Sequence, residues 1–228
     1  MYKNLFRGEH RLVNTNLNDF SDRSYIQTGF KDSGILCSKC DNELLSKLER
    51  YASNTIFGNN SKTQKHPGDA IHLPYTRYSN LDYTVVKLFF LSLLWKSHIS
   101  KNSFFKEINL GPKYAEKIRK MLLENDAGNE DEFEVLIIQV CTDGTRPSQS
   151  LIEPRKLRQN GNTSYVFLMD ELMYHFNVSP YNKEDMYKKG LIKRDGILDI
   201  PILTGTIARE YFDSFLGKKI LMKGNVQR

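Results

Sequence analysis

An α+β fold is predicted: an N-terminal β-hairpin and Cys-x-x-Cys element, a helical core around one buried central helix, and a C-terminal antiparallel sheet. Three observations predict it. The stretch from Leu81 to Ser100 is apolar on nearly every side of a helix, with Val85, Leu88, Phe89, Ser92, Trp95 and Ile99 on one face and Val86, Phe90, Leu91, Leu93 and Leu94 filling the rest. Such a helix must be covered all round. From Phe133 onward the character changes from helix to strand, beginning with a run too short and too β-branched to be another long helix. Upstream of Cys37 the chain is polar, with short apolar touches at Leu12-Val13 and Tyr25-Ile26, which suits brief strands and turns.

Taken in order, the N-terminal element spans 1–58, and the helical core and sheet span 59–228 and pack with it as one unit. After Cys37-Ser-Lys-Cys40, the residues Leu44, Leu45, Leu48, Tyr51, Ala52 and Ile56 form an amphipathic stripe. Asp41 is the expected N-cap, since its carboxylate can accept from first-turn amides. The segment 58–80 is polar and reads as a loop carrying His66-Pro67 and His72. In the central helix the apolar run Leu88 to Trp95 is closed by Lys87 and Lys96, far short of the roughly 20 residues a bilayer needs, so no membrane span is expected. Leu110-Gly111-Pro112 opens a further helix striped by Tyr114, Ile118, Met121 and Leu122, with proline where its missing amide costs nothing.

Phe133 to Val140 is a β-rich run. Ser164 to Met169 and Leu172 to Val178 alternate in opposite phases, so a tight turn or bulge is expected at Asp170-Glu171. Two short strands flank the Asp195-Gly196 turn, and Ile207, Tyr211, Phe212 and Phe215 mark a closing helix before a basic tail. The carboxylates Glu134, Glu153, Asp170 and Glu171 lack the arrangement of a metal-dependent nuclease.

A hydrophobic fraction of 39%, with 13 Phe and 12 Tyr, excludes a disordered chain. A net charge of +6 permits an acidic partner such as nucleic acid and is equally what keeps soluble proteins soluble. The 3 cysteines do not form a secreted disulfide framework and no signal peptide opens the chain, so a reducing cytoplasm is the expected location. Without a P-loop, a dinucleotide glycine motif, a Gly-x-Ser-x-Gly elbow or His-Glu-x-x-His, the usual signatures of ATP-driven, nicotinamide-dependent and serine-hydrolase chemistry are missing.

Three features carry candidate chemistry. Cys37, Cys40, His66 and His72 form a Cys-x2-Cys-x25-His-x5-His set whose four donors suit tetrahedral zinc. The same cysteines, just before a helix, also suit a redox pair or two structural thiols. On the Leu110 helix, Lys113, Lys117, Arg119 and Lys120 form a basic patch for phosphate, interleaved with Glu116 and Glu124; a second cluster is Lys188, Lys189, Lys193 and Arg194.

Leu36-Cys-Ser-Lys-Cys-Asp-Asn-Glu-Leu-Leu45, Leu81-Asp-Tyr83, Lys87-Leu-Phe-Phe-Leu-Ser-Leu-Leu-Trp-Lys-Ser97, Phe104-Phe105, Leu110-Gly-Pro112 and Ile118-Arg-Lys-Met-Leu-Leu123 stand in an order that resembles a largely uncharacterised bacterial protein family. The resemblance covers roughly residues 25–140. Some relatives carry an N-terminal half similar to the treble-clef zinc part of HNH endonucleases, where the Cys-x-x-Cys matched by Cys37 and Cys40 completes the zinc site. Here the segment before Cys37 holds no cysteine and a single histidine, His10, and lacks the Ser-His-Ile-Ile-Pro run of those relatives. The resemblance therefore implies a degenerate HNH-like zinc element in a nucleic-acid-associated protein, within a bacterial antiviral defence or mobile-element system. A metal-dependent endonuclease would use His10 as its general base. The alternative is a non-catalytic subunit whose aromatic sheet face binds a protein partner or a second copy of the chain.

Overall fold

The computed structural model describes residues 12–16, 19–26, 30, 32–58, 63–69, 72–141, 150–159, 161–179 and 189–216. The fold is α+β, built among these residues on a nine-stranded mixed sheet. In chain order the strands are β1 (Leu12–Asn16), β2 (Asp19–Ile26), β3 (Thr63–His66), β4 (Tyr75–Tyr78), β5 (Val135–Val140), β6 (Ser150–Gln159), β7 (Asn162–Met169), β8 (Leu172–Asn177) and β9 (Leu198–Leu203). Across the sheet they lie in the order β2-β1-β6-β7-β8-β5-β9-β4-β3. The C-terminal sheet was expected to be antiparallel. Six of its junctions are antiparallel, but β1 runs parallel to β6 and β5 parallel to β9.

Four helices cover the sheet: α1 (Ser46–Thr55), α2 (Tyr83–Ile99), α3 (Gly111–Glu124) and α4 (Gly205–Leu216). Alternation along the strands divides the core in two. Val135, Ile137, Tyr165, Phe167, Tyr174 and Phe176 face the side packed by α1, α2 and α3. Leu136, Ile138, Val166, Leu168 and Met173 face the other, where Ala208 and Phe212 of α4 cover them. α2 is the central helix: Val86, Leu88, Phe89, Phe90, Leu91 and Leu94 are all buried, and both α1 and α3 pack against it. Asp82 caps it, its Oδ1 accepting the Val85 amide at 3.1 Å. No helix among the described residues is long and apolar enough to cross a membrane.

The hairpin expected at Asp170-Glu171 is present, joining β7 to β8 with Asp170 at φ 55°. Before the Asp195-Gly196 turn, however, the expected strand is reduced to one bridge, Leu191 to Leu136. The backbone passes so close to β5 there that a Cβ on Gly190 would lie 2.4 Å from the Ile137 carbonyl oxygen, and only glycine fits. The segment 58–80, expected as a loop, contains β3 and β4 and completes one end of the sheet. β6 was not anticipated either.

Candidate functional site

The cysteine pair sits where the chain turns into the first helical segment. Helical turns begin at Ser38, run through a π-helical stretch, Cys40–Leu45, and continue into α1, so the cap is Cys37 and not Asp41. The Cys37 carbonyl accepts the Asp41 amide at 3.0 Å, and the Cys37 sulfur accepts the Cys40 amide at 3.4 Å. A sulfur thus takes the place an N-cap oxygen usually fills. Cys37 is exposed and Cys40 half-buried. The Cys40 amide, then the Cys40 thiol, hold the Cys37 thiol below the ordinary range; donating to that sulfur pushes Cys40 above it. The charges of Lys39 and of Arg119, on α3, also reach Cys40.

The two histidines expected as zinc ligands have other surroundings. His66 ends β3, where its ring stacks on Tyr75 of β4 with centroids 4.5 Å apart and planes within 9°; its Nε2 is buried with no hydrogen-bond partner among the described residues. His72 is exposed and its Nδ1 lies 2.9 Å from the Asp69 carboxylate. Among the described residues no three His, Cys, Asp or Glu side chains gather as a metal ion would require, so the set Cys37, Cys40, His66 and His72 is not assembled. β3 pairing with β4 at the sheet end fixes His66 against Tyr75, a constraint invisible in linear spacing. The carboxylates are dispersed too: Glu134 accepts from Asn177, Glu153 pairs with Lys106, and Glu171 accepts from Gln139. His98 accepts the Leu110 amide through Nδ1. His10 lies outside the described residues.

On α3 the basic patch is partly neutralised. Arg119 makes two hydrogen bonds to Glu116, at 2.7 and 2.8 Å, and Lys117 pairs with Glu132. Lys113 and Lys120 are exposed, with the Lys113 ammonium 5.8 Å from the centre of the Tyr114 ring. Two of the four cations are therefore committed to carboxylates within the chain.

A second cationic cluster forms where Lys189, one of the basic residues noted in the sequence, meets Tyr75 and Arg77 of β4. Strand alternation turns Tyr78 toward the α1–α3 core and Tyr75 and Arg77 to the opposite face. Over the Tyr75 ring stand the Lys189 ammonium, 5.0 Å from its centre, and the Arg77 guanidinium, 5.5 Å away. Arg77 also grips Asp199 of β9 through two bonds of 2.7 and 2.8 Å, which raises its pKa further. Lys189 is exposed and His66 and Tyr75 are half-buried, whereas Lys65, opposite Thr76, points to the other face of β3. The available signal was Tyr75-Thr-Arg-Tyr78, an alternation of only four residues.

One cavity of about 670 Å³ opens between the helices and the sheet. Phe104, Phe167 and Met169 supply apolar wall, the Glu49–Lys96 ion pair (2.5 Å) supplies charge, and Leu36 and Asp41, on either side of the cysteine pair, reach it as well.

No family model matches this chain, and neither a curated protein nor a solved structure matches it.

Proposed function

We propose that this chain is a nucleic-acid-associated protein that takes a single strand across the β3–β4 face, in the bacterial defence or mobile-element setting that the resemblance in its helical half suggests. The observation that supports this reading is the aromatic and cationic cluster itself: the stacked His66–Tyr75 pair with Lys189 and Arg77 around it. Single-strand binders combine these two elements, cations along the backbone and rings against the bases. Lys189 is the exposed charge; Arg77, held by Asp199, positions the ring. The reading does not run through a zinc centre built on Cys37, Cys40, His66 and His72, which are not assembled.

The test is fluorescence anisotropy with a labelled oligonucleotide across a salt series. Wild type binds at about 50 mM salt and weakens steeply as salt rises, because each phosphate contact releases counterions. The variant Lys189→Glu binds about tenfold more weakly, with the log–log salt slope reduced by about one. No binding at low salt, or an unchanged slope in the variant, refutes the reading.

A further inference from the structure

We propose that Cys37 and Cys40 form a thiol–disulfide exchange site that reacts with low-molecular-weight disulfides and closes to an internal disulfide. The site stands apart from the β3–β4 face and does not depend on the nucleic-acid reading.

Three observations build it. The Cys37 sulfur is exposed at the start of a helical segment, where it caps the Cys40 amide at 3.4 Å. The amide partial charges that favour an anionic cap favour a thiolate in the same place. Cys40 lies one helical turn on, with its own amide against the Cys37 sulfur, and is the more buried of the two cysteines. This divides the roles: Cys37 is the attacking group and Cys40 the resolving one. The third cysteine, Cys141, lies elsewhere, its thiol donating to Glu171 at 3.6 Å.

In the first step the Cys37 thiolate attacks one sulfur of a disulfide R–S–S–R. The old S–S bond breaks, R–S⁻ leaves and takes a proton from solvent, and a mixed disulfide stands on Cys37. Cys40 then gives its proton to solvent and attacks the Cys37 sulfur, expelling the second R–S⁻, which is protonated in turn. The chain has lost two electrons and two protons, and R–S–S–R has become two R–SH.

The probe is glutathione disulfide. Full-length protein carrying Cys141→Ser is equilibrated with reduced and oxidised glutathione, quenched in acid and weighed intact. The expected product lacks two hydrogens and carries no adduct, while adding Cys40→Ser leaves one glutathione trapped on Cys37. Under iodoacetamide at pH 7, Cys37 in the Cys40→Ser variant is alkylated about tenfold faster than Cys40 in the Cys37→Ser variant. Circular dichroism of each variant confirms the folded state in which the rates are compared. Glutathione adducts on both cysteines without closure, or equal alkylation rates, overturn the proposal. So does one equivalent of zinc that copurifies with the wild type and is lost on either substitution, because those thiolates would then be ligands.

Discussion

Lys87 places a charge inside the core, and its titration can be read as stability. The residue is 1% exposed on the central helix α2, with its ammonium donating to the Tyr83 hydroxyl at 3.0 Å and the Asn129 carbonyl at 2.5 Å. Burial brings its pKa down from 10.5 to about 8, against the opposing pull of Glu132. The folded state therefore releases this proton while the unfolded chain still holds it. Stability rises with pH wherever the unfolded state binds more protons, so the gain begins near pH 8 and is complete above 10.5. From pH 7 to 9.5 these two pKa values give about 2 kcal/mol. Tyrosine titration opposes this at higher pH, since burial raises Tyr83 to about 12 and folding then weakens as the unfolded phenolates form; the window stops at 9.5 for that reason.

The assay is urea unfolding at pH 7, 8, 9 and 9.5 for wild type and Lys87→Met. The Met variant removes the titrating group, keeps most of the volume, and leaves the Asn129 carbonyl without its donor, a cost of about 1–3 kcal/mol that does not vary with pH. The difference between the two proteins, wild type minus variant, grows by about 2 kcal/mol across the window. Curves that run parallel would show that Lys87 titrates as a solvated lysine and that the buried placement is wrong.

Two further outcomes follow from the same core. Phe90→Ala empties a site that is 0% exposed and removes ring contacts to Phe89 and Tyr174, at 5.0 and 5.4 Å, so denaturant midpoints should report a loss of about 3–5 kcal/mol. Asp82→Ala leaves the Val85 amide without its cap and should cost about 1 kcal/mol by the same measurement, with Asp82→Asn recovering most of it.

What could be read from the residues in order follows a physical line. α2 was legible because a helix apolar on every face has only one place to go. The β7–β8 hairpin was legible because a phase slip between two alternating runs can be accommodated only at the turn. β3 and β4 were not, since Thr63, Gln64 and Lys65 are exposed and every residue of β4 is half-buried, leaving no apolar alternation to detect. β6 hid for another reason. Pro154 interrupts it at a register shift between Ile152 and Arg155, and its charged residues are satisfied by distant partners: Arg155 by Glu107, Lys156 by the Tyr165 ring. The nearness of Cys37 to Cys40 followed from spacing alone. Their separation from a shared site with His66 and His72 did not, because it depends on which strand β4 joins across 122 residues, the span that the Arg77–Asp199 pair closes.

That same topology makes the two proposed sites separable. The cysteine turn leads into α1, whose Leu48 and Ala52 belong to the core on one side of the sheet. Tyr75, His66 and Arg77 project from the other side, as the inward placement of Tyr78 requires. A bond between Cys37 and Cys40 joins two residues already in contact through the Cys40 amide and the Cys37 sulfur at the first helical turn, where the Cys37 carbonyl also holds the Asp41 amide. Oxidation is thus confined to the turn, and the buried stripe of α1 has no reason to move. Effects of Cys37→Ser and of Lys189→Glu should add without coupling, as they do for groups without shared partners. If oxidising the pair changed oligonucleotide affinity, the sheet would have to transmit a displacement through its packed core, and the separation argued from strand alternation would fail.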